Sequence, residues 1–147
     1  QYLGFIFQDF NLLPVLSAVE NVELPLLLLG KSATEARTTS LEALKSVGLG
    51  ERSEHRPSEL SGGQQQRVAI ARAIVHSPTV ILCDEPTGNL DSATSKSVMK
   101  LLKTINEKIG TTFLLVTHDG EVAKQCSRVL RMEDGIIISD ERGQEEE

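Results

Sequence analysis

The 147-residue chain suits one modest domain or a part of one. Hydrophobic residues make up 39% and charged residues 24%, the balance of an ordinary globular protein. A formal net charge of -6 argues against the broad basic surface of a nucleic-acid binder, so no nucleic-acid partner is expected.

The opening residue, Gln1, is not an initiator methionine, and Tyr2–Phe7 already reads as a strand with no lead-in. The chain is therefore expected to be a fragment, or to lack its beginning. Residues 9–16 hold Asn11 and Pro14 and read as a loop. Ser17 can cap a helix through about Leu29, with Pro25 as a bend and Gly30 as the stop. The longest apolar stretch, Leu24–Leu29, is interrupted by Pro25 and falls far short of the roughly 20 residues of a membrane span. No basic segment precedes an apolar run, as a signal peptide would require. A cytoplasmic chain follows, with any membrane link supplied by a partner.

Ser32-Ala33-Thr34-Glu35 has the form of a capping box, and Leu41, Leu44 and Val47 continue as a helical stripe towards Gly48. Residues 50–59 are polar and read as a linker or a short helical turn. Ser61 opens the next helix, with Val68, Ala71, Arg72 and Val75 on one side and Pro78 at its end. Thr79–Cys83 reads as a second buried strand and residues 86–90 as a loop. Asp91 or Ser92 caps a long amphipathic helix that closes at Gly110. Thr111–Thr117 reads as a third buried strand, followed by a short helix over Glu121–Cys126. Val129–Met132 and Ile136–Ser139 form a hairpin, and an acidic tail from Asp140 is expected to be disordered. Cys83 and Cys126 lack CxxC spacing and read as buried apolar thiols.

Apolar strands alternating with helices indicate an α/β fold with a mostly parallel sheet, whose ligands bind at the carboxyl ends of the strands. Each apolar strand here is followed by polar residues suited to catalysis: Gln8, the pair Asp84-Glu85, and His118. A hydrophobic strand that delivers an aspartate is the way P-loop NTPases hold Mg²⁺, and a second acid beyond it can orient or deprotonate a water. Two solvated acids after a strand remain the plain alternative. Ser61-Gly62-Gly63-Gln64-Gln65 places a hydroxyl and two glycines at a helix start, where free backbone N–H groups can meet a phosphate. A simple serine-capped helix is the competing reading there.

Leu60-Ser61-Gly62-Gly63-Gln64-Gln65-Gln66-Arg67 resembles the signature sequence of the ABC family. Four further motifs resemble that family in its fixed order: Phe7-Gln8-Asp9 the Q-loop, Asp84 and Glu85 the Walker B aspartate and catalytic glutamate, Gly88-Asn89-Leu90-Asp91 the D-loop, and Val116-Thr117-His118-Asp119 the H-loop. Phe10–Pro14 and Val22–Leu26 resemble the subgroup that includes macrolide-type exporters, lipoprotein-releasing transporters and related cell-division ATPases.

The resemblance implies a partial P-loop NTPase (ABC ATPase) fold with a helical subdomain and a C-terminal β-hairpin. Residues 1–8 would form a core strand and the Q-loop, 9–76 the helical subdomain, 77–140 the ATPase core and 141–147 an acidic tail. It also implies ATP and Mg²⁺ as cofactors. Asp84 and Gln8 would contact the metal, Glu85 would polarise the water, and His118 would reach the terminal phosphate. Ser61, Gly62, Gly63 and Gln64 would face the nucleotide of a second ABC domain in a head-to-tail sandwich, with Asp91 supporting that interface. For Asp91 a local helix cap is a serious rival, and both roles can hold at once.

A transmembrane permease would dock on the segment from Phe10 to about Arg56, placing the protein peripherally at the inner face of the plasma membrane. Simple helix packing is the alternative use of that leucine-rich stretch. A non-transport ABC ATPase and a non-catalytic dimerisation module are the alternative functions. No GxxxxGK[ST] loop, which would cradle the phosphates, occurs in the sequence, so the chain alone is expected to be inactive.

Overall fold

The computed structural model describes residues 2–142, which divide after Val116 into two compact units. In the first unit, β1 (Leu3–Ile6), β2 (Val80–Asp84) and β3 (Thr112–Val116) pair in parallel in the order β1-β2-β3. The register aligns Gly4 with Ile81 and Phe113, and Phe5 with Leu82 and Leu114. Aligned residues share a face and alternate along each strand.

One face, with Gly4, Ile6, Ile81 and Cys83, is buried. The other carries Leu3, Phe5, Leu114 and Val116, all about half exposed or more, and the rings of Phe5 and Phe7 stack at 6.0 Å. Strands buried on both faces read as continuous apolar runs. That is the sequence pattern here, yet only one face is covered.

The covering layer is helical. The helices α1 (Ala18–Leu28), α2 (Ala33–Ser46) and α3 (Gly62–Ile74) pack on one another; α3 also lies against β1, and α4 (Ser92–Ile109) against β3. The hydroxyls of Ser17, Ser32 and Ser61 each accept from the N3 amide, and the N3 side chains Glu20, Glu35 and Gln64 accept from the cap amides. All three starts are therefore capping boxes. Pro25 lies inside α1, and the expected linker over 50–59 contains two short 3₁₀ turns, Gly50–Arg52 and Pro57–Glu59.

The loop before α1 is held from within. Asn21, fully buried, donates through Nδ2 to the carbonyls of Leu13, Leu16 and Ser17 at 3.0–3.2 Å, and its Oδ1 accepts from Leu13 N at 2.8 Å. Irregular backbone must find partners outside a regular ladder, and here one buried side chain supplies four.

The second unit contains α5 (Gly120–Ala123) and the antiparallel pair β4 (Arg128–Glu133) and β5 (Ile136–Arg142). The turn residues Asp134 and Gly135 both have positive φ, 47° and 78°, as a type I′ hairpin turn demands. The helix is shorter than expected and the strands are longer. Pairing continues to Arg142, so the beginning of the expected disordered tail is ordered strand. Its reason is visible at Asp140, whose carboxylate accepts from Arg128 Nε and Nη2 at 2.8 and 2.7 Å. The rest of that tail, residues 143–147, lies outside the described residues. Among the described residues no helix is long and apolar enough to cross a membrane.

Two outcomes are expected. Asn21→Ala leaves the Leu13 N–H and the Leu16 carbonyl without their partner and should lower stability by about 2 kcal/mol, read from a urea midpoint. The 147-residue chain should bind a fluorescent apolar dye through the bare sheet face, and Phe5→Ser with Leu114→Ser should weaken that signal without loss of helical circular dichroism.

Candidate functional site

Because β1 and β2 run parallel, Gln8 and Asp84 emerge at the same end of the sheet. Asp84 is the last residue of β2 and is exposed. Glu85 follows with φ of 44°, in the left-handed region that a non-glycine residue seldom adopts, and its amide donates to Val116 O at 2.9 Å. The next carbonyl, Pro86, accepts a short hydrogen bond from Nε2 of the fully buried Gln66 on α3.

The loops after β1 and β2 grip each other. Gln8 Nε2 donates to Asn89 Oδ1 at 3.2 Å, while Asn89 Nδ2 lies 3.2 Å from Gln8 O and 2.8 Å from Asp9 Oδ1. Gly88 sits directly against Gln8: a Cβ there would come within 2.7 Å of Nε2. A side chain at this position would push the Gln8 amide out of place.

The starts of α3 and α4 lie side by side. A Cβ on Gly63 would meet Thr94 Cγ2 at 2.5 Å, and one on Gly62 would meet Leu90 Cδ2 at 3.5 Å. The Ser61 hydroxyl and the Gln64 amide oxygen are both engaged in capping α3. Asp91 caps α4, accepting from the amides of Ala93 and Thr94 at 3.1 and 3.0 Å and from the Thr94 hydroxyl. The Thr94 hydroxyl and amide hold the Asp91 carboxyl below its ordinary range. The local cap weighed for Asp91 is thus present.

The first unit brings Gln8, the Asp84-Glu85 strand end, the Gly88–Asp91 loop and the Ser61–Gln64 helix start into one connected stretch of loops. His118 lies in the second unit, two residues beyond the end of β3 in the chain. There Asp119 caps α5 by accepting from Glu121 N at 2.8 Å, and its own amide donates to the Thr117 hydroxyl at 3.1 Å. The triplet Gly30-Lys31-Ser32 is no phosphate cradle. Lys31 N donates to Leu26 O at 3.0 Å and Ser32 N to Glu35 Oε2 at 3.1 Å, so its amides close α1 and open α2.

Two residues of this region were not picked out as site residues in the sequence. Asn89 stood inside the D-loop motif, where only Asp91 was given a role. Arg72 gave a clearer one, a cation on an otherwise apolar helix stripe. Cys83 is buried as expected; Cys126 is half-buried, and burial pushes its thiol pKa up.

The ABC transporter family profile matches residues 1–88. The chain belongs to the ABC transporter family. It is similar to the lipoprotein-releasing system ATP-binding protein LolD of Alcanivorax borkumensis, 49% identical over 137 residues that cover 93% of this chain and 60% of that protein. It is also similar to the macrolide export ATP-binding/permease protein MacB of Rhodopirellula baltica, 47% identical over 97% of this chain and 21% of that protein. Among solved structures it matches the ATP-binding cassette MJ0796, in a dimeric post-hydrolysis state bound to ADP and Pi, with a TM-score of 0.83 and 46% identity. That match covers 99% of this chain and 64% of the cassette. The fold is accordingly that of an ABC ATPase cassette, and the ABC chain described here spans about three-fifths of the length of these LolD and MJ0796 relatives.

Gly88→Ala should break the Gln8–Asn89 contact, seen as a shift of both side-chain amide resonances while the fold persists. The Asp91 cap carries a pH dependence. A carboxylate held below its ordinary value contributes stability that is present above that value and lost as pH falls through the depressed one. Hydrogen exchange at the Ala93 and Thr94 amides should therefore lose protection only in acid, and in Asp91→Asn the acid step should vanish.

Proposed function

We propose that the chain is the C-terminal part of an ATP-binding and ATP-hydrolysing subunit that powers an ABC transporter, of the export or lipoprotein-release type. The observation that carries this reading is the Asp84-Glu85 pair at the end of β2, beside a Q-loop and a D-loop that hold each other through Gln8 and Asn89. Membership of the ABC transporter family and similarity to LolD and MacB support it.

In this reading Glu85 orients and deprotonates the attacking water, because it extends one residue past the metal-binding acid. Asp84 and Gln8 would hold Mg²⁺. The donor set fits: Asp84 is an exposed carboxylate at the end of β2, Gln8 emerges at the same end of the sheet, and magnesium needs only one or two carboxylates beside phosphate and water oxygens. When bound, the ion neutralises charge on the phosphates. His118 is assigned the terminal phosphate on motif order alone.

Ser61, Gly62, Gly63 and Gln64 would present the α3 start to the ATP of a second ABC domain, with Asp91 backing the contact. The capping bonds they make are compatible with this, since a cap leaves the remaining N–H groups of the first turn free to face an anion. Residues 9–76 would form the helical subdomain, with a permease docked on the segment from Phe10 to about Arg56, and 1–8 and 77–140 the ATPase core. The enzyme would then sit at the inner face of the membrane through that permease.

Phosphoryl transfer rests on positioning and electrostatic stabilisation, and the sequence here contains no loop of the GxxxxGK[ST] type. The 147-residue chain should therefore show no ATP turnover. In a full-length cassette that includes such a loop, Glu85→Gln should slow turnover by about 10²–10⁴-fold while ATP binding persists. Loss of binding instead would make Glu85 a structural or metal-holding residue.

A further inference from the structure

The loop that carries Gln8 contains two consecutive non-glycine residues with left-handed backbone, Phe10 at φ 62° and Asn11 at φ 49°. A bulky aromatic in that region is an outlier that its surroundings must enforce. The local bonds are poor restraints: Phe10 N reaches Phe7 O at 3.3 Å, and Asn11 N closes a three-residue turn onto Asp9 O. The enforcing group comes from elsewhere. Arg72, near the end of α3, donates from Nη1 to Asn11 O at 2.6 Å and from Nη2 to Phe10 O at 2.8 Å.

Its two donors thus span two successive carbonyls, a match for the planar fork of a guanidinium and not for an ammonium. Arg72 is half-buried and makes no ion pair among the described residues. Burial lowers its pKa, the sign of a desolvated charge. A cation placed there without a carboxylate is held by those two carbonyls.

We infer that Arg72 is a positioning residue for phosphoryl transfer, acting by fixing the loop backbone from which Gln8 projects. The inference rests on the ATPase reading above. Gln8 is clasped from one side by Asn89 and anchored from the other by Arg72, two and three residues downstream. The same helix begins at Ser61 and, through Gln66, holds the carbonyl of Pro86 next to Glu85. One rigid rod therefore links the signature to the loops on both sides of the chemistry. A movement of α3 is passed to Gln8 through the guanidinium.

The test uses a full-length cassette with its phosphate-binding loop, comparing wild type, Arg72→Lys, Gln8→Ala and the double variant. Arg72→Lys keeps the charge and removes the fork. Turnover should fall about 10–100-fold, the scale of a small misplacement of a reacting group, with KM for ATP and the melting temperature unchanged. In the Gln8→Ala background the further loss from Arg72→Lys should disappear, because both act through one group. Phe10→Gly, which relieves the left-handed strain, should restore part of the rate in Arg72→Lys.

Additive losses, an equal rise in KM, or wild-type turnover in Arg72→Lys would each overturn the inference. So would a cassette in which Arg72→Lys does not fold, since Arg72 would then be structural only. Glu85→Gln in the same assay separates the two readings. If it leaves turnover intact, the ATPase assignment is at fault; if it abolishes turnover while Arg72→Lys behaves as wild type, only the positioning role is.

Discussion

Backbone carbonyls in irregular segments must be satisfied, and in this protein the side chains of one helix answer much of that demand. α3 is buried through Val68, Ala69, Ile70, Ala71 and Ala73 against neighbouring helices and the sheet. Its polar residues nevertheless do not face water alone. Gln65 donates to Leu60 O, Gln66 to Pro86 O, Arg67 to Val47 O, and Arg72 to Phe10 and Asn11. The loops around α3 are thus tied to it by donors that reach outward from a packed core. Each bond adds only about 1 kcal/mol net, but leaving such a carbonyl buried and unpaired costs more than making the bond gains.

This arrangement explains how a three-stranded sheet with one bare face still presents ordered loops. Parallel pairing fixes which residues reach the sheet end, and α3 fixes the backbone beyond them. The Gln8–Asn89 clasp then closes the loops on each other, with room made by the missing side chain of Gly88. Specific loop geometry is achieved without a continuous core on both sides of the sheet.

Much of this was legible in the sequence because the signals were local. Capping boxes at Ser17, Ser32 and Ser61 announced helix starts, and apolar runs ending in polar residues announced β1 and β2. The family motifs were readable for the same reason, being short and ordered. What escaped was non-local. Asn89 and Arg72 act on residues 80 and 61 positions away, and nothing in the local pattern names those partners. The left-handed backbone at Phe10 and Glu85 escaped as well, since bulky or acidic residues give no hint of positive φ. The tail misled because acidity argued for disorder, whereas Arg128 on the facing strand gave Asp140 a partner.

The positive φ of Glu85 sets stability against chemistry. A left-handed non-glycine residue costs on the order of 1 kcal/mol or more, and Gly or Asn would adopt the same backbone more cheaply. Selection for heat resistance alone would drift this position towards those residues, and towards a better-folded protein that has lost its acid. Keeping a glutamate there means tolerating a weak point in the turn after β2, and under the proposed ATPase role folding and activity would make opposite demands on this one residue.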